Sequence, residues 1–441
     1  MSPPPSAAAP RSGRSRSGGL GFAAGMMVGA LVAGVVAMLL TWLLHGIFWL
    51  ATGDLQGWMP EHEPLPWWRL AVFPVVGALA CAALWWWIRS RGELTSIRGA
   101  LADPERRFPL GRSLADAVVQ VVNVGCGASI GREAAPRLAA AALMDSVSRR
   151  LGLAALDRRT VVAGASAAAL AAIYNSPVAG AFYALEVLRI TDFAGRRSRR
   201  VGAFVVGLGM CLLATVVAWP VIGRGAIFAF PGARAASALL PLAVGAGLIG
   251  GLFGVGFHRM TRWAGSVQSW TGWRLVASMA AVGLLTGAMA VMFPSVTGNG
   301  QGVVRLAIAG SAPLWAFLVL SVLKPVLTSL TLAGGSVGGQ LQPSMATGAA
   351  LGAGASLVLV SAGVDVPLWQ LALVTGVAVL AANQKAPLFS CFFGLELTHP
   401  HPTVALPVAV AALLGWLVRE GFERRRSTAP NTEPRSGPGH Q

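Results

Sequence analysis

Gly125-Cys126-Gly127-Ala128-Ser129-Ile130-Gly131-Arg132-Glu133-Ala134-Ala135-Pro136 lies between two apolar runs, yet it is not written as a membrane-spanning helix. Its glycines let the backbone leave helical geometry, and the run from Ala134 to Leu143 restarts a helix, so Arg132 and Glu133 are expected at a helix N-terminus. Unpaired N–H groups and the positive end of the macrodipole make such an end suit an anion. At membrane depth the irregular backbone must be buried in protein or line a wet cavity, because lipid cannot satisfy it. A glutamate there is a tethered anion that occupies the site or leaves it according to its protonation. The bland reading is a solvated loop that carries an Arg-Glu pair.

Working outward, 441 residues with 55% hydrophobic, 12% charged and 55 glycines are too apolar for a soluble domain and fit a polytopic membrane protein. Weakly charged runs fall roughly at 20–50, 68–88, 114–148, 161–190, 201–222, 238–257, 275–293, 313–333, 344–362, 368–396 and 403–418. Several exceed the length that spans a bilayer and others are interrupted by Gly or Pro, so long tilted helices mixed with broken ones are expected. Cys81, Cys126, Cys211 and Cys391 stand alone in apolar runs and read as small core residues rather than a disulfide framework.

The net charge of +17 does not mark a nucleic-acid binder, because the basic residues fall in short separated segments. These are Arg11 to Arg16, Arg89 to Arg112, Arg149 to Arg159, Arg196 to Arg200 and Arg419 to Arg426, the pattern of cytoplasmic loops in a membrane protein. The loop from Thr52 to Trp67 has Asp54, Glu61 and Glu63 and no Lys or Arg, which places it outside. Fifteen tryptophans, Trp67-Trp68 and Trp85-Trp86-Trp87 among them, suit interfacial anchors. Residues 1–19 read as a disordered basic cytoplasmic tail and 419–441 as a second cytoplasmic tail, with the chain in the plasma membrane.

The segment 127–136 lines up without gaps on Gly334-Gly335-Ser336-Val337-Gly338-Gly339-Gln340-Leu341-Gln342-Pro343, sharing two glycines, a serine and the final proline. Downstream, Ala171 to Glu186 lines up on Ala381 to Glu396, and the two offsets, 207 and 210 residues, nearly agree. A duplicated membrane chain whose matching segments are both broken by Gly and Pro points to a transporter-type fold with its site at the repeat interface. Repeat one is expected over 20–200, a connecting helix and linker over 201–234, and repeat two over 235–418, parallel or inverted.

These motifs resemble the CLC family of chloride channels and chloride/proton antiporters. Gly131-Arg132-Glu133 resembles the start of its G-R/K-E-G-P motif, Gly338-Gly339-Gln340-Leu341-Gln342-Pro343 its G-x-F-x-P loop, and Asn175 to Glu186 its N-A-P-L-A-G-x-x-F-x-x-E helix. Gly298-Asn299-Gly300 and Lys324-Pro325-Val326-Leu327-Thr328-Ser329 fall between them in the same order, so the resemblance covers roughly 20–418. It implies an all-α polytopic fold, an inverted repeat of tilted and broken helices, in a homodimer with one anion pore per subunit. Glu133 would be the gating glutamate. Arg132, Glu133 and Ala134 would hold the outer anion, and Gly339, Gln340 and Leu341 the central one through main-chain N–H groups.

The departures concern the inner pore. Gly92 falls where the family has a serine, Leu341 replaces a phenylalanine, Ala134-Ala135 replaces Gly-Pro, and the only tyrosines are Tyr174 and Tyr183, so the inner-gate tyrosine near the C-terminus has no equivalent. Val187 stands where the antiporters carry an internal proton glutamate, which points to a passive or weakly proton-coupled chloride pathway with Glu186 and Glu93 as candidates for a proton path. A proton-coupled chloride or fluoride antiporter and a transport-incompetent homologue are the alternatives. No metal-ligand spacing, nucleophile elbow or phosphate loop supports an enzyme or a cofactor. Partners are then a small anion, protons in the coupled case, and lipid.

Overall fold

The computed structural model describes residues 18–427 except 56, 59–64, 104, 191–196 and 269. The expected N-terminal tail up to residue 17, residues 428–441, and Glu61 and Glu63 of the outer loop lie outside the described residues.

The first half runs α1 (Gly19–Thr52), α2 (Trp67–Arg89), α3 (Ile97–Ala102), α4 (Leu110–Gly125), α5 (Ala134–Arg150), α6 (Ala155–Tyr174) and α7 (Pro177–Glu186). After α8 (Arg197–Ile222) come α9 (Leu239–Val267), α10 (Gly272–Met292), α11 (Gln301–Ala309), α12 (Leu314–Ala333), α13 (Leu341–Ser361), α14 (Leu368–Gln384), α15 (Pro387–Thr398) and α16 (Ala405–Ser427). Among the described residues, eight helices are long and apolar enough to cross a membrane, α1, α2, α12 and α13 among them. The last helix runs to Ser427, past residue 418 where the second repeat was expected to end, and Lys385 at the end of α14 holds its Glu420 at 3.0 Å.

The centre of the molecule is built on α6 and α14. Both are apolar all round, and every side chain of Val161–Tyr174 and of Trp369–Asn383 is buried. Small residues let neighbours approach closely: a Cβ at Gly348 or Gly352 of α13 would overlap backbone carbonyls of α14. Both central helices end on a left-handed residue, Asn175 (φ 51°) and Lys385 (φ 57°), and a proline then opens the next helix at Pro177 and Pro387.

The two halves are inverted. Glu186, at the C-terminal end of α7, accepts from the N–H groups of Leu388 (3.3 Å) and Phe389 (2.8 Å) at the start of α15. Glu396, near the end of α15, accepts from Val178 (2.9 Å) and Ala179 (2.7 Å) at the start of α7. Such reciprocal capping requires antiparallel helices, and each carboxylate satisfies orphan donors at the positive end of its neighbour.

Candidate functional site

Two loops cross where α4 gives way to α5 and α12 to α13. Gly127 (φ 104°) and Gly335 (φ 112°) turn the chain out of helical geometry in each, at angles that favour glycine. Gly131 and Gly339 then pair as an antiparallel bridge, with N–H···O distances of 2.9 and 2.8 Å in the two directions. The helices after the crossing start at Ala134 and Leu341, so two helix N-termini converge on one spot.

Glu133 precedes α5 and its side chain is wholly buried, but it does not cap its own helix. One oxygen, Oε1, accepts from the N–H of Leu341 at 2.6 Å, and Oε2 accepts from the Tyr174 hydroxyl at 3.2 Å. The carboxylate is thus a tethered anion on the first N–H of α13, which is the geometry that an anion takes at a helix N-terminus. A Cβ at Gly131 or Gly339 would overlap this carboxylate, so glycine at both positions makes its room.

Arg132 does not pair with Glu133. It donates to the carbonyl of Ile173 (3.2 Å), lies over the ring of Tyr174 (5.2 Å), and its buried Nε has no partner. Arg137, one turn into α5, donates to the main-chain carbonyl of Glu133 (2.8 Å) and to the Tyr183 hydroxyl. Lys324 of α12 is fully buried and its ammonium donates to Ser129 Oγ (2.9 Å), Val296 O (2.9 Å) and Gly298 O (2.7 Å). Ser129 donates in turn to Val296 O (3.0 Å), so one cation ties the Gly125–Glu133 loop to the segment before α11. Arg132, Arg137 and Lys324 thus put positive charge on the elements that hold the buried Glu133 carboxylate, which suits an anion position.

Of the residues expected at the site, Arg132, Glu133, Ala134, Gly339, Gln340 and Leu341 come together at the crossing, with Gln340 just before α13, its side chain making no cap, and Ala134 opening α5. Glu186 lies elsewhere, on the N-terminus of α15. Gly92 is exposed between α2 and α3, where Arg112 donates to the carbonyl of its neighbour Arg91 (2.8 Å). Tyr174, Arg137 and Lys324 were missed as site residues. The signal for the first was available: both tyrosines of the chain lie in the repeated segment 171–186.

A family model described as "Voltage gated chloride channel" matches residues 76–420. The chain belongs to this family, the CLC family. Among curated CLC relatives, the putative chloride channel protein ClcB-like of Ralstonia nicotianae is 30% identical over 385 residues, covering 84% of this chain and 86% of the relative. The voltage-gated ClC-type chloride channel ClcB of Salmonella typhi is 27% identical over 410 residues, covering 88% and 93%. Among solved structures, that of a slow cyanobacterial Cl−/H+ antiporter superposes with a TM-score of 0.76 at 19% identity, covering 93% of this chain and 99% of that one. At that identity the superposition bears on the fold, and it agrees with the inverted, all-helical architecture described above.

Proposed function

We propose that the chain carries chloride or a similar small anion across the plasma membrane along a path that Glu133 opens and closes. The observation that carries this is the 2.6 Å bond from the Leu341 N–H to the Glu133 carboxylate. An anion and the carboxylate compete for one set of donors, and protonation releases the carboxylate from the competition. Arg132, Ala134, Gly339 and Gln340 shape the same position. Lipid surrounds the spanning helices, and a second copy joins the first in a homodimer with the termini on the cytoplasmic side, an arrangement that the CLC resemblance supports.

Val187 and the engaged state of Glu186 favour a passive or weakly coupled path. Both oxygens of Glu186 are taken by N–H groups of α15, which is the work of a helix cap, and the adjacent residue is not an acid. The test is chloride and fluoride flux from liposomes with simultaneous recording of pH, in wild type and in Glu133→Ala. Chloride flux without proton movement, independent of pH in the variant, is expected. Uphill proton movement driven by an anion gradient would replace this reading with the antiporter and make Glu186 the first residue to test as a proton carrier. No anion flux from either protein would overturn the transport reading.

A further inference from the structure

A cavity of about 290 Å³ opens beside the crossing, on the side of Arg132. Its walls come from α1, the end of α8, residues 226–227 and α11. Two of the lining residues are the cations Arg132 and Arg305, and His45 lines it beside them. The opposite character comes from Phe48, Ile222 and Ile227, which line the cavity with hydrocarbon. Among the described residues no Asp or Glu lines it, and the Arg305 guanidinium has no hydrogen-bond or ion-pair partner. Arg132 donates to the Ile173 carbonyl and lies over the Tyr174 ring, and its buried Nε is unpaired.

Cations held against low-dielectric walls without an ion-pair partner cost free energy that a bound anion removes. A lone halide does not account for the space, since one water-sized volume is about 30 Å³ in the liquid and the cavity holds several. Planar guanidinium groups match the two oxygens of a carboxylate through paired N–H donors. Apolar walls facing a few convergent polar groups suit a carbon body with one polar end.

We propose that this cavity binds a small organic carboxylate, with its oxygens toward Arg132 and Arg305 and its carbon body against Phe48, Ile222 and Ile227. Binding stands by itself. Its consequence, slower anion flux because the occupant covers the approach to Glu133 from the side of Arg132, rests on the reading given above.

The test is isothermal titration of the purified full-length protein with benzoate, acetate and chloride, alongside flux into liposomes. Benzoate should bind at least about tenfold tighter than acetate, because it alone fills the apolar half. Arg305→Gln should weaken benzoate by about tenfold or more and Arg305→Lys by less, while the thermal unfolding midpoint of both stays at the wild-type value. Ile227→Asn should narrow the difference between benzoate and acetate. If Arg305→Gln fails to fold, Arg305→Lys and Ile227→Asn carry the test. Equal affinity for benzoate, acetate and chloride, or benzoate binding that these substitutions leave unchanged, overturns the proposal. A protein that binds benzoate but passes no chloride refutes the transport reading and leaves this site in place; one that passes chloride but does not bind benzoate does the reverse.

Discussion

Replacing Glu133 by glutamine is the substitution whose effect the geometry determines most directly. The carboxylate is held by two hydrogen bonds, from the Leu341 N–H at 2.6 Å and from the Tyr174 hydroxyl at 3.2 Å. Bonds to a charged acceptor are worth roughly 1.5–3 kcal/mol each, about twice their neutral counterparts. The amide keeps an acceptor oxygen but loses the charge, so about half of each bond disappears. The second bond is long for a hydroxyl donor and counts toward the lower end, which makes the total loss about 2 kcal/mol. A competing anion gains what the tether loses, so chloride should bind Glu133→Gln about thirtyfold more tightly, at 1.4 kcal/mol per tenfold. The sign with pH follows from the same competition. In wild type, chloride affinity should rise as pH falls, because the protonated carboxyl no longer opposes the anion, whereas the variant should be flat with pH. Isothermal titration with chloride across a pH series, on protein shown by its unfolding midpoint to be intact, measures both. Wild-type affinity together with a wild-type pH slope in Glu133→Gln would refute the idea that the carboxylate and the anion share one position.

Gly339→Ala puts a methyl group where the Glu133 carboxylate lies, so it should reproduce the pH-flat chloride binding of Glu133→Gln; a variant with the wild-type pH slope would show that the loop yields instead. Lys324→Met removes three donations and leaves Gly298 O without its partner, at about 1–3 kcal/mol, so the unfolding midpoint in detergent should drop by roughly 1–3 °C; an unchanged midpoint would mean that the ammonium does not brace the loops. Glu186→Gln and Glu396→Gln each weaken a pair of charge-assisted caps and should cost about 1 kcal/mol apiece by thermal unfolding. A change in proton movement confined to Glu186→Gln, with stability unchanged, would contradict the capping role and point to a proton path.

The two repeats, the membrane class and the place where the chain must break were legible in the residues, because each is a local or compositional demand. Apolar runs have to cross lipid, glycine-rich breaks have to be sheltered from it, and the matches at offsets of 207 and 210 residues name the segments that meet. The same logic set Arg132 and Glu133 at a helix start, and α5 does begin at Ala134. Which helix Glu133 serves was beyond that reading: its carboxylate leaves its own helix for a donor 208 residues away. Likewise the acids at 186 and 396 read as a repeated pair, but only the packed molecule shows that each caps the helix of the other. Arg137 and Lys324 were hidden for the same reason, since nothing in their neighbours along the chain specifies a partner. A sequence states what each segment must bury and where its backbone cannot stay helical; which donor meets which acceptor is settled when inverted halves bring two helix ends to one point, and the tethered carboxylate is the charge that those ends leave unanswered.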